Sequence, residues 1–429
     1  MRSIALHTLG CKLNQLESES LGDSFVRAGW TVVSLEDRAD LGIINTCTVT
    51  GKAEQKARRI IRKFLAENPD SPLIVTGCYA QLNSEELGGI DPRVFVVPGN
   101  SKYHLHDLAS ALESGKTVLE FSSHWSQPDH SEPFSYNPQT FSFHSRAFLK
   151  IQDGCNNHCS FCRVSLARGK SVSRSADEIC RELQNLEGYG FTEAVLTGVN
   201  IGQYQDPAEG FDLAGLIAKL LETTDSIRIR LSSLEPELVR PHLLPVLASQ
   251  RVRPHFHLSV QSGSEMILQS MRRAVDPAEI LTAVESLRSI KKDPFIAVDI
   301  IAGFPGENEA EFEKTYTLCR NIGCAWIHAF PYSKRPGTEA FNFSHAVPER
   351  EARNRVERLL NLGRSGKREY IDRWIGETVE AVVEQKGLCL SENYLKIKVD
   401  TALEPRSLIQ CRISTVSTDP HFDAEGHFR

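Results

Sequence analysis

Three cysteines lie close together in the segment DGCNNHCSFCRVSLARG. Cys155, Cys159 and Cys162 form a C-x3-C-x2-C run that follows an apolar stretch. A structural zinc ion takes four ligands, usually from two separated pairs, and a thioredoxin-type redox motif takes two cysteines. Three thiolates instead fit a 4Fe-4S cluster with one iron free of protein ligands, so that a small molecule can coordinate it. The run therefore predicts a catalytic iron-sulfur site.

Three other cysteines, Cys11, Cys47 and Cys78, each follow an apolar stretch that predicts a β-strand. Helical segments separate these strands, and this βαβ order is typical of a parallel sheet. The carboxyl ends of parallel strands lie along one edge, where ligands bind. A single free cysteine is often only a small buried hydrophobe, but three at equivalent strand ends favour a second metal site. The other five cysteines show no matching spacing and are predicted to be packing residues: Cys180, Cys319, Cys324, Cys389 and Cys411.

Composition narrows the class of protein. The chain has 429 residues, of which 41% are hydrophobic and 24% charged, and its net charge is −6. This length predicts several domains, and no apolar run is long enough for a membrane helix. The first residues lack the features of a signal peptide, so we expect a cytoplasmic protein whose 11 cysteines stay free for metals or catalysis. The acidic balance means that any nucleic-acid binding must use local patches.

The order of predicted elements indicates an α/β multidomain chain. Residues 1–122 predict an N-terminal open parallel α/β sheet, and residues 123–145, rich in Ser, Pro and aromatics, predict a linker. Residues 146–372 contain six βα units, too few for a closed eight-stranded barrel, so we expect a central, partial (βα)6 barrel. Residues 373–429 contain three short strands without helices between them and predict a small β-barrel.

The C-x3-C-x2-C run resembles that of radical S-adenosylmethionine (SAM) enzymes, in which the amino and carboxylate groups of SAM bind the open iron. The rest of the chain is similar to the methylthiotransferases, through segments that include HTLGCKLNQLESES, INTCTVTGKAEQKARR, VTGCYAQ, LTGVNIGQY, VQSGSEMILQSMRR, DIIAGFPGE and FPYSKRPGTEA. This resemblance implies two 4Fe-4S clusters, the second on Cys11, Cys47 and Cys78, and SAM as cofactor. It also implies that the central domain is a radical SAM barrel and that the C-terminal barrel is an RNA-binding TRAM domain.

Two motifs bear on the substrate. TLGCKLNQ and FPYSKRPGT are most similar to the branch that adds a methylthio group to C2 of N6-threonylcarbamoyladenosine, at position 37 beside the tRNA anticodon. Such an enzyme is a transferase of sulfur-containing groups (EC 2.8.4.5) and needs a tRNA substrate, a reducing electron donor and a sulfur source. Sister branches act on N6-isopentenyladenosine in tRNA or on a ribosomal-protein aspartate. A more distant alternative is a non-catalytic iron-sulfur protein that binds RNA.

The resemblance also implies contacts to SAM at the barrel strand ends. The candidates are Gly198, Val199, Asn200, Glu235, Gln261, Ser262, Ile301 and Gly303. A basic helix before the C-terminal barrel, within residues 349–374, is either a solvated face or a surface for tRNA phosphates.

Overall fold

The computed structural model describes residues 2–122, 125, 133–136, 138, 145–400 and 403–428. The N-terminal domain is built on a parallel five-stranded sheet of order β2-β1-β3-β4-β5. Its central strands are apolar and fully buried, as expected when helices cover both faces. The strands are β1 (Ser3–Thr8), β2 (Thr31–Val33), β3 (Leu41–Thr46), β4 (Leu73–Gly77) and β5 (Val94–Val96). The predicted open sheet is confirmed.

Helices connect these strands and pack on the sheet. They are α1 (Lys12–Arg27), α2 (Gly51–Glu67), α3 (Cys78–Leu82), α4 (Ser84–Gly88), a 3-10 helix (Gly99–His104), α5 (Leu105–Glu113) and α6 (Val118–Ser122). The side chain of Thr50 caps α2 by accepting a hydrogen bond from the Ala53 N–H. Most of the predicted linker 123–145 lies outside the described residues. Within it, Trp125 is buried against the core of the N-terminal domain.

Six parallel strands form the central partial barrel, as predicted. They are arranged as two three-stranded sheets, of order β10-β9-β6 and β11-β12-β13, which meet at β10 and β11 through isolated bridges. The six strands are β6 (Ala147–Lys150), β9 (Glu193–Thr197), β10 (Arg228–Leu231), β11 (His255–Gln261), β12 (Phe295–Ala302) and β13 (Trp326–Pro331). A short hairpin of β7 (Gln152–Asp153) and β8 (Val172–Ser173) flanks the cysteine loop.

Helices cover the outside of the barrel, and one apolar core unites them with the strands. They are α7 (Val164–Arg168), α8 (Ala176–Gly188), α9 (Leu213–Thr223), α10 (Leu244–Leu247), α11 (Glu265–Ser270), α12 (Pro277–Ile290), α13 (Glu309–Ile322) and α14 (Glu349–Trp374), with 3-10 helices at Ile201–Gln203, Pro236–Leu238 and Glu339–Asn342. No helix in the described part of the chain is long and apolar enough to cross a membrane.

The C-terminal domain is a closed five-stranded barrel of order β14-β15-β16-β18-β17. Its strands are β14 (Thr378–Gln385), β15 (Leu388–Ser391), β16 (Lys396–Val399), β17 (Leu408–Val416) and β18 (Ala424–Phe428). The predicted small barrel is confirmed, but the sequence indicated only three strands. The two that were missed are short, and β18 has the sequence AEGHF, which lacks the apolar alternation of a half-buried strand.

Buried charges join the C-terminal barrel to the central one. Glu193 of β9 is fully buried between Arg230 and Arg253, at 2.6 and 2.7 Å. Arg253 also pairs with Glu380 of β14, at 2.5 Å, and Arg230 donates to the carbonyl of Ser391 at 3.1 Å. The C-terminal barrel is therefore held directly against the central barrel.

Candidate cluster and cofactor site

The barrel cysteines, as we call Cys155, Cys159 and Cys162, lie in one loop between β7 and α7. Gly154 opens this loop with a φ of +70°, and a Cβ atom there would lie 2.0 Å from the Lys170 carbonyl oxygen. Only glycine fits such a close approach in the left-handed region. The Cys155 N–H then donates to the Gly169 carbonyl at 3.1 Å. The loop therefore folds back on its own end.

Donors surround the sulfurs of this loop. The Asn157 N–H lies 3.4 Å from the sulfur of Cys155, and the Val164 N–H lies 3.4 Å from that of Cys162. The guanidinium of Arg273 lies beside the sulfur of Cys159. Burial raises the pKa of this thiol, and the charge of Arg273 acts to lower it. Such contacts favour thiolates, the form that binds iron. All three sulfurs come from a single loop at the carboxyl end of β6, where βα barrels place their active sites.

The N-terminal cysteines, as we call Cys11, Cys47 and Cys78, come from three separate elements. Cys11 caps the start of α1, Cys47 follows β3 directly, and Cys78 begins α3 after β4. The structure brings them together. Cys11 and Cys78 lie close enough to Cys47 for their charges to raise the pKa of its thiol. Gly10, at a φ of +110°, allows this approach, since a Cβ there would lie 2.8 Å from the Cβ of Cys47.

The spacing of the side chains in both sets bears on the kind of metal site they could form. In the ranges that the structure describes, no three His, Cys, Asp or Glu side chains are grouped to hold one metal ion. A cubic cluster binds each thiolate at a different iron, so its thiolates lie farther apart than the ligands of one ion. Burial raises the pKa of Cys47 and of Cys162 to about 12, so cluster binding must displace protons from these thiols. The donors in both sets are cysteine thiols, the ligands that most iron-sulfur clusters use.

The five cysteines without matching spacing are all buried, which confirms their predicted packing role. They are Cys180, Cys319, Cys324, Cys389 and Cys411.

Arg168 connects the two cysteine sets. It ends α7, six residues after the last barrel cysteine, and α7 packs against α3, which begins at Cys78. Its guanidinium lies 3.1 Å from Glu17 of α1 and 3.0 Å from Asp153 of the barrel hairpin, and it donates to the Asn14 side chain at 2.8 Å. All of these side chains are buried or nearly so. Arg168 therefore fixes the cysteine loop against the N-terminal domain.

A second buried bridge lies on the other side of the loop. The Glu54 carboxylate of α2 accepts from Arg163 at 3.1 Å and also pairs with Arg335, which follows β13. The Thr48 hydroxyl lies 2.5 Å from the same carboxylate. Arg335 belongs to the FPYSKRPGT motif, so this motif holds the N-terminal domain over the barrel mouth.

Gly198, Val199 and Asn200 lie directly after β9, at the same edge as the cysteine loop. The Gln152 side chain joins the two, since it accepts from the Asn200 N–H at 2.9 Å and donates to the Gly154 carbonyl at 2.7 Å. A Cβ on Gly198 would lie 2.8 Å from this side chain. Both polar side-chain atoms of Asn200 are buried without a hydrogen-bond partner in the described residues. An unpartnered buried amide beside the loop fits a polar ligand such as the methionine end of SAM.

Glu235 follows β10 and pairs with Arg273. Arg273 also donates to the Ser259 carbonyl at 2.8 Å. Because Arg273 lies beside the sulfur of Cys159, Glu235 is held next to the cysteine loop. The structure thus brings this candidate to the barrel cysteines.

Gln261 is the last residue of β11, and Ser262, which follows it directly, has different surroundings. Gln261 has a φ of 67°, a conformation that non-glycine residues rarely adopt, and it remains half-exposed. Ser262 is fully buried, with its hydroxyl 3.2 Å from that of Thr315 and accepting from the Ser264 N–H at 3.1 Å. The Ser262 hydroxyl is therefore used by hydrogen bonds within the protein, whereas the Gln261 side chain stays accessible to a ligand.

Ile301 and Gly303 lie at the end of β12. Ile301 packs against a small apolar cluster that includes Phe161, from within the cysteine loop, and Phe304. Gly303 has a φ of +78°, and a Cβ there would lie 2.4 Å from the Cβ of Ala352. Ile301 is thus near the cysteine loop. Gly303 has no side chain, and this allows the end of β12 to lie against α14.

Lys12 enters the barrel from the N-terminal domain, next to Cys11. Burial, with the nearby Arg146 and Arg230, lowers the pKa of Lys12 to about 8. Its ammonium makes no hydrogen bond or ion pair within the described ranges of the chain, and the nearby Glu193 is already shared by buried arginines. The interior of the barrel therefore contains a cation that has no ion-pair partner among the described residues.

A cavity of about 320 Å³ adjoins the N-terminal cysteines. Cys78, Lys102, Arg168 and Tyr136 are among its lining residues. Lys102 pairs with the Glu17 carboxylate on the same wall. The cavity offers a small molecule a route to the second cysteine set.

The residues that sequence reasoning missed are mainly those that join the domains. The segment CRVSLARG begins at Cys162 and contains Arg163 and Arg168. These arginines were the available signal, since two arginines that pack beside a cysteine loop need carboxylates to neutralise them. Arg273, Lys12 and Glu54 gave no comparable signal, because nothing in their local sequence indicates their distant partners.

Known proteins resemble the chain over most of its length. Residues 3–99 match the model of an uncharacterised protein family, UPF0004, and residues 149–319 match the radical SAM superfamily. A threonylcarbamoyladenosine tRNA methylthiotransferase of Treponema pallidum is 41% identical over 93% of this chain and 95% of its own length. A protein of the same name from Aquifex aeolicus is 35% identical over 96% of this chain and 100% of its own. A tRNA-2-methylthio-N(6)-dimethylallyladenosine synthase from Solibacter usitatus is 32% identical over 91% of this chain and 88% of its own.

Solved structures agree on the architecture. The radical SAM methyltransferase TsrM of Kitasatospora setae, with tryptophan and a SAM analogue bound, aligns with a TM-score of 0.53 over 94% of this chain and 80% of its own. The cobalamin-dependent radical SAM enzyme OxsB aligns with a TM-score of 0.52 over 87% of this chain and 56% of its own. Both are 13% identical to the chain, so they support the fold alone.

Proposed function

Because the chain belongs to the threonylcarbamoyladenosine tRNA methylthiotransferases, a family of radical SAM enzymes, we propose that it adds a methylthio group to C2 of N6-threonylcarbamoyladenosine beside the tRNA anticodon. The observation that carries this proposal is the presence of two sets of three cysteines, one in a single loop of the barrel and one gathered from three strand ends of the N-terminal domain, with α7 and α3 packed together between them. One set suits activation of SAM and the other suits the presentation of sulfur. The reaction class is that of a transferase of sulfur-containing groups.

Two 4Fe-4S clusters fit the residues present. The barrel cysteines would hold the SAM-binding cluster, which supplies the electron for reductive cleavage of SAM when it is bound. Asn200 and Glu235 would then orient the methionine and ribose parts of SAM, and Ile301 would contact the adenine. The buried Arg273 holds Glu235 in place for this task.

The N-terminal cysteines would hold the second cluster, close to the space where the tRNA base must enter. The cavity beside Cys78 would admit a small sulfur source. Its lining holds four cations, Lys102, Lys150, Arg168 and Lys170, against the two carboxylates of Glu17 and Asp153, and this positive excess favours an anionic source. A reducing electron donor completes the reaction. Free thiols and oxygen-sensitive clusters fit a reducing compartment, so we place the protein in the cytoplasm.

We further infer that Lys12 binds the carboxylate of the threonylcarbamoyl group. A partly buried ammonium without a carboxylate partner in the described residues is costly, and this one follows Cys11 in the chain and lies near Arg146, Arg230 and Glu193 inside the barrel. Threonylcarbamoyladenosine carries a carboxylate, whereas isopentenyladenosine carries only a hydrocarbon group. The ammonium therefore favours the first substrate over the second.

Nucleoside mass analysis of tRNA tests the activity directly. In cells that lack the protein, we expect 2-methylthio-N6-threonylcarbamoyladenosine to disappear and N6-threonylcarbamoyladenosine to accumulate. Wild-type protein should restore the modification, and a variant without the barrel cysteines should not. Loss of the methylthio derivative of isopentenyladenosine instead would assign the chain to the sister branch.

Iron analysis tests the two sites. After anaerobic reconstitution, the wild-type chain should bind about eight irons, four for each cluster. Replacing Cys155, Cys159 and Cys162 with Ala should remove about half of them. A full iron load in this triple variant would overturn the assignment of the barrel cysteines.

A further inference from the structure

The sequence left α14 as either a solvated face or a surface for tRNA phosphates, and its ion pairs favour the solvated face. Most of its arginines pair with carboxylates, on α14 itself or on neighbouring elements. The pairs are Arg353–Glu349, Arg355–Glu307, Arg358–Glu309, Lys367–Asp423, Arg368–Asp372 and Arg373–Asp293. A cation that is already neutralised gains little from a phosphate, so this helix is a weak candidate for RNA binding.

Helix α2 differs from α14 in this respect. Lys52, Lys56, Arg59 and Arg62 are exposed on it, and none forms an ion pair with a residue in the described part of the chain. Lys63, on the same helix, pairs instead with Glu36 and Glu67. Four unpaired cations thus remain on one helix of a chain whose net charge is −6.

The four cations share one face of α2. Their spacing of four, three and three residues keeps them on one side of a helix with 3.6 residues per turn, over a length of about 15 Å. A groove of about 680 Å³ runs beside this face, lined on one wall by Lys56 and Arg59 and on the other by residues 32–36. We call Lys52, Lys56, Arg59 and Arg62 the α2 stripe.

The α2 stripe begins at the barrel mouth. The Gly51 N–H, at the first residue of α2, donates to the Ser333 hydroxyl at 3.0 Å. One turn later, Glu54 is held by Arg163 from the cysteine loop and by Arg335. The α2 stripe therefore extends from the barrel mouth along the outer surface of the N-terminal domain.

We propose that the α2 stripe binds the phosphate backbone of the tRNA anticodon stem while the modified base lies in the barrel mouth. The inference rests on the proposed function for the identity of the polyanion. Lysine and arginine side chains in a row, without carboxylate partners, are the groups that replace counterions along nucleic-acid phosphates. The remainder of the acidic surface repels RNA, so the stripe also sets the orientation in which the tRNA approaches.

Salt-dependent binding tests this surface. The stripe variant replaces Lys52, Lys56, Arg59 and Arg62 with Gln, and its matched control replaces four exposed cations that have carboxylate partners. The control residues are Lys292, Lys314, Arg353 and Arg368. Both variants lose four positive charges, so a difference between them reports the location of the charge.

Binding of threonylcarbamoyladenosine-containing tRNA is measured at several salt concentrations on cluster-loaded protein. We expect the stripe variant to bind about ten-fold to a hundred-fold more weakly, and its slope of log affinity against log salt to fall by about three. The control should keep nearly the wild-type slope. Iron content and melting temperature equal to wild type would show that the stripe variant is folded.

The outcomes separate this inference from the proposed function. If the wild type binds the tRNA and the stripe variant keeps the same slope, the surface is wrong and the activity stands. If the control loses as much slope as the stripe variant, binding follows net charge and the stripe has no special role. If the wild type does not bind this tRNA, the proposed function fails and the inference fails with it.

Discussion

The guanidinium of Arg168 lies 3.1 Å from the carboxylate of Glu17, and the two residues belong to different domains. Both side chains are more than nine-tenths buried, and Lys102 and Lys150 approach the same carboxylate. Charges removed from water in this way are stable only while all of them have partners. The pair therefore couples the stability of the cysteine loop to its contact with the N-terminal domain.

Replacing Arg168 with Met tests this coupling. The free energy of unfolding of cluster-free protein should fall by about 3 kcal/mol, the lower end for a broken buried ion pair, because Lys102 and Lys150 still face Glu17. Urea titration measures it. Arg368→Met is a matched control, since Arg368 forms an exposed pair with Asp372 and its loss should cost less than about 1 kcal/mol. Equal losses in the two variants would contradict the role given to Arg168.

The same network predicts a dependence on pH. Burial alone would raise the pKa of Glu17, but Arg168, Lys102 and Lys150 hold it well below its usual range. A carboxylate with a lowered folded-state pKa stabilises the fold above its unfolded pKa of about 4.3, and this stabilisation decreases as the pH falls further. The difference in unfolding free energy between wild type and Glu17→Gln should be complete at neutral pH.

Below about pH 4.3 this difference should shrink by about 1.4 kcal/mol for each pH unit. Urea titrations of cluster-free wild type and Glu17→Gln, at neutral pH and at several acid values, provide the measurement. A difference that stays constant into acid would show that Glu17 is not ionised in the folded protein.

The places of the six cysteines in the fold could be predicted from the sequence, because their signals are local. The C-x3-C-x2-C spacing places three sulfurs in one loop wherever that loop lies. The N-terminal cysteines follow the carboxyl ends of strands, and parallel strands bring those ends to one edge. The fold class was predictable for the same reason, since each βα unit carries its own pattern of apolar residues.

Interactions between domains could not be predicted in this way. Arg163 and Arg168 were visible as unusual residues, but their partners Glu54 and Glu17 lie more than a hundred positions away. The basic sequence of α14 suggested phosphate binding, and only the structure shows that carboxylates of α13 and α14 itself occupy most of its arginines. Pairing of charges depends on packing between elements, which a single sequence does not reveal.

Replacing Lys12 with Met tests recognition of the substrate carboxylate. A hydrogen bond to a charged group contributes about 1.5–3 kcal/mol, so the variant should bind anticodon stem-loop RNA with threonylcarbamoyladenosine about ten-fold to a hundred-fold more weakly. Binding of the same RNA with unmodified adenosine should be unchanged. Lys12→Arg keeps the charge and should keep most of the preference. A Met variant that still prefers the threonylcarbamoyl form would remove Lys12 from substrate recognition.

Removing the barrel cysteines and removing the N-terminal cysteines should affect the reaction differently, because the two sets have different surroundings. The barrel cysteines share one loop beside Asn200 and Glu235, which suits the cluster that binds SAM. The N-terminal cysteines come from three strand ends beside a cavity, which suits a cluster that presents sulfur.

Replacing the N-terminal cysteines with Ala should therefore preserve reductive cleavage of SAM but abolish methylthio product. Replacing any one of the barrel cysteines should abolish both reactions, since the iron that binds SAM loses its cluster. The assay uses reduced, reconstituted protein with labelled SAM and tRNA that carries either hypermodified adenosine, and it measures 5′-deoxyadenosine and methylthio nucleoside together. Methylthio product from the N-terminal variant would show that the second cysteine set does not carry the sulfur, and conversion of isopentenyladenosine alone would overturn the substrate assignment.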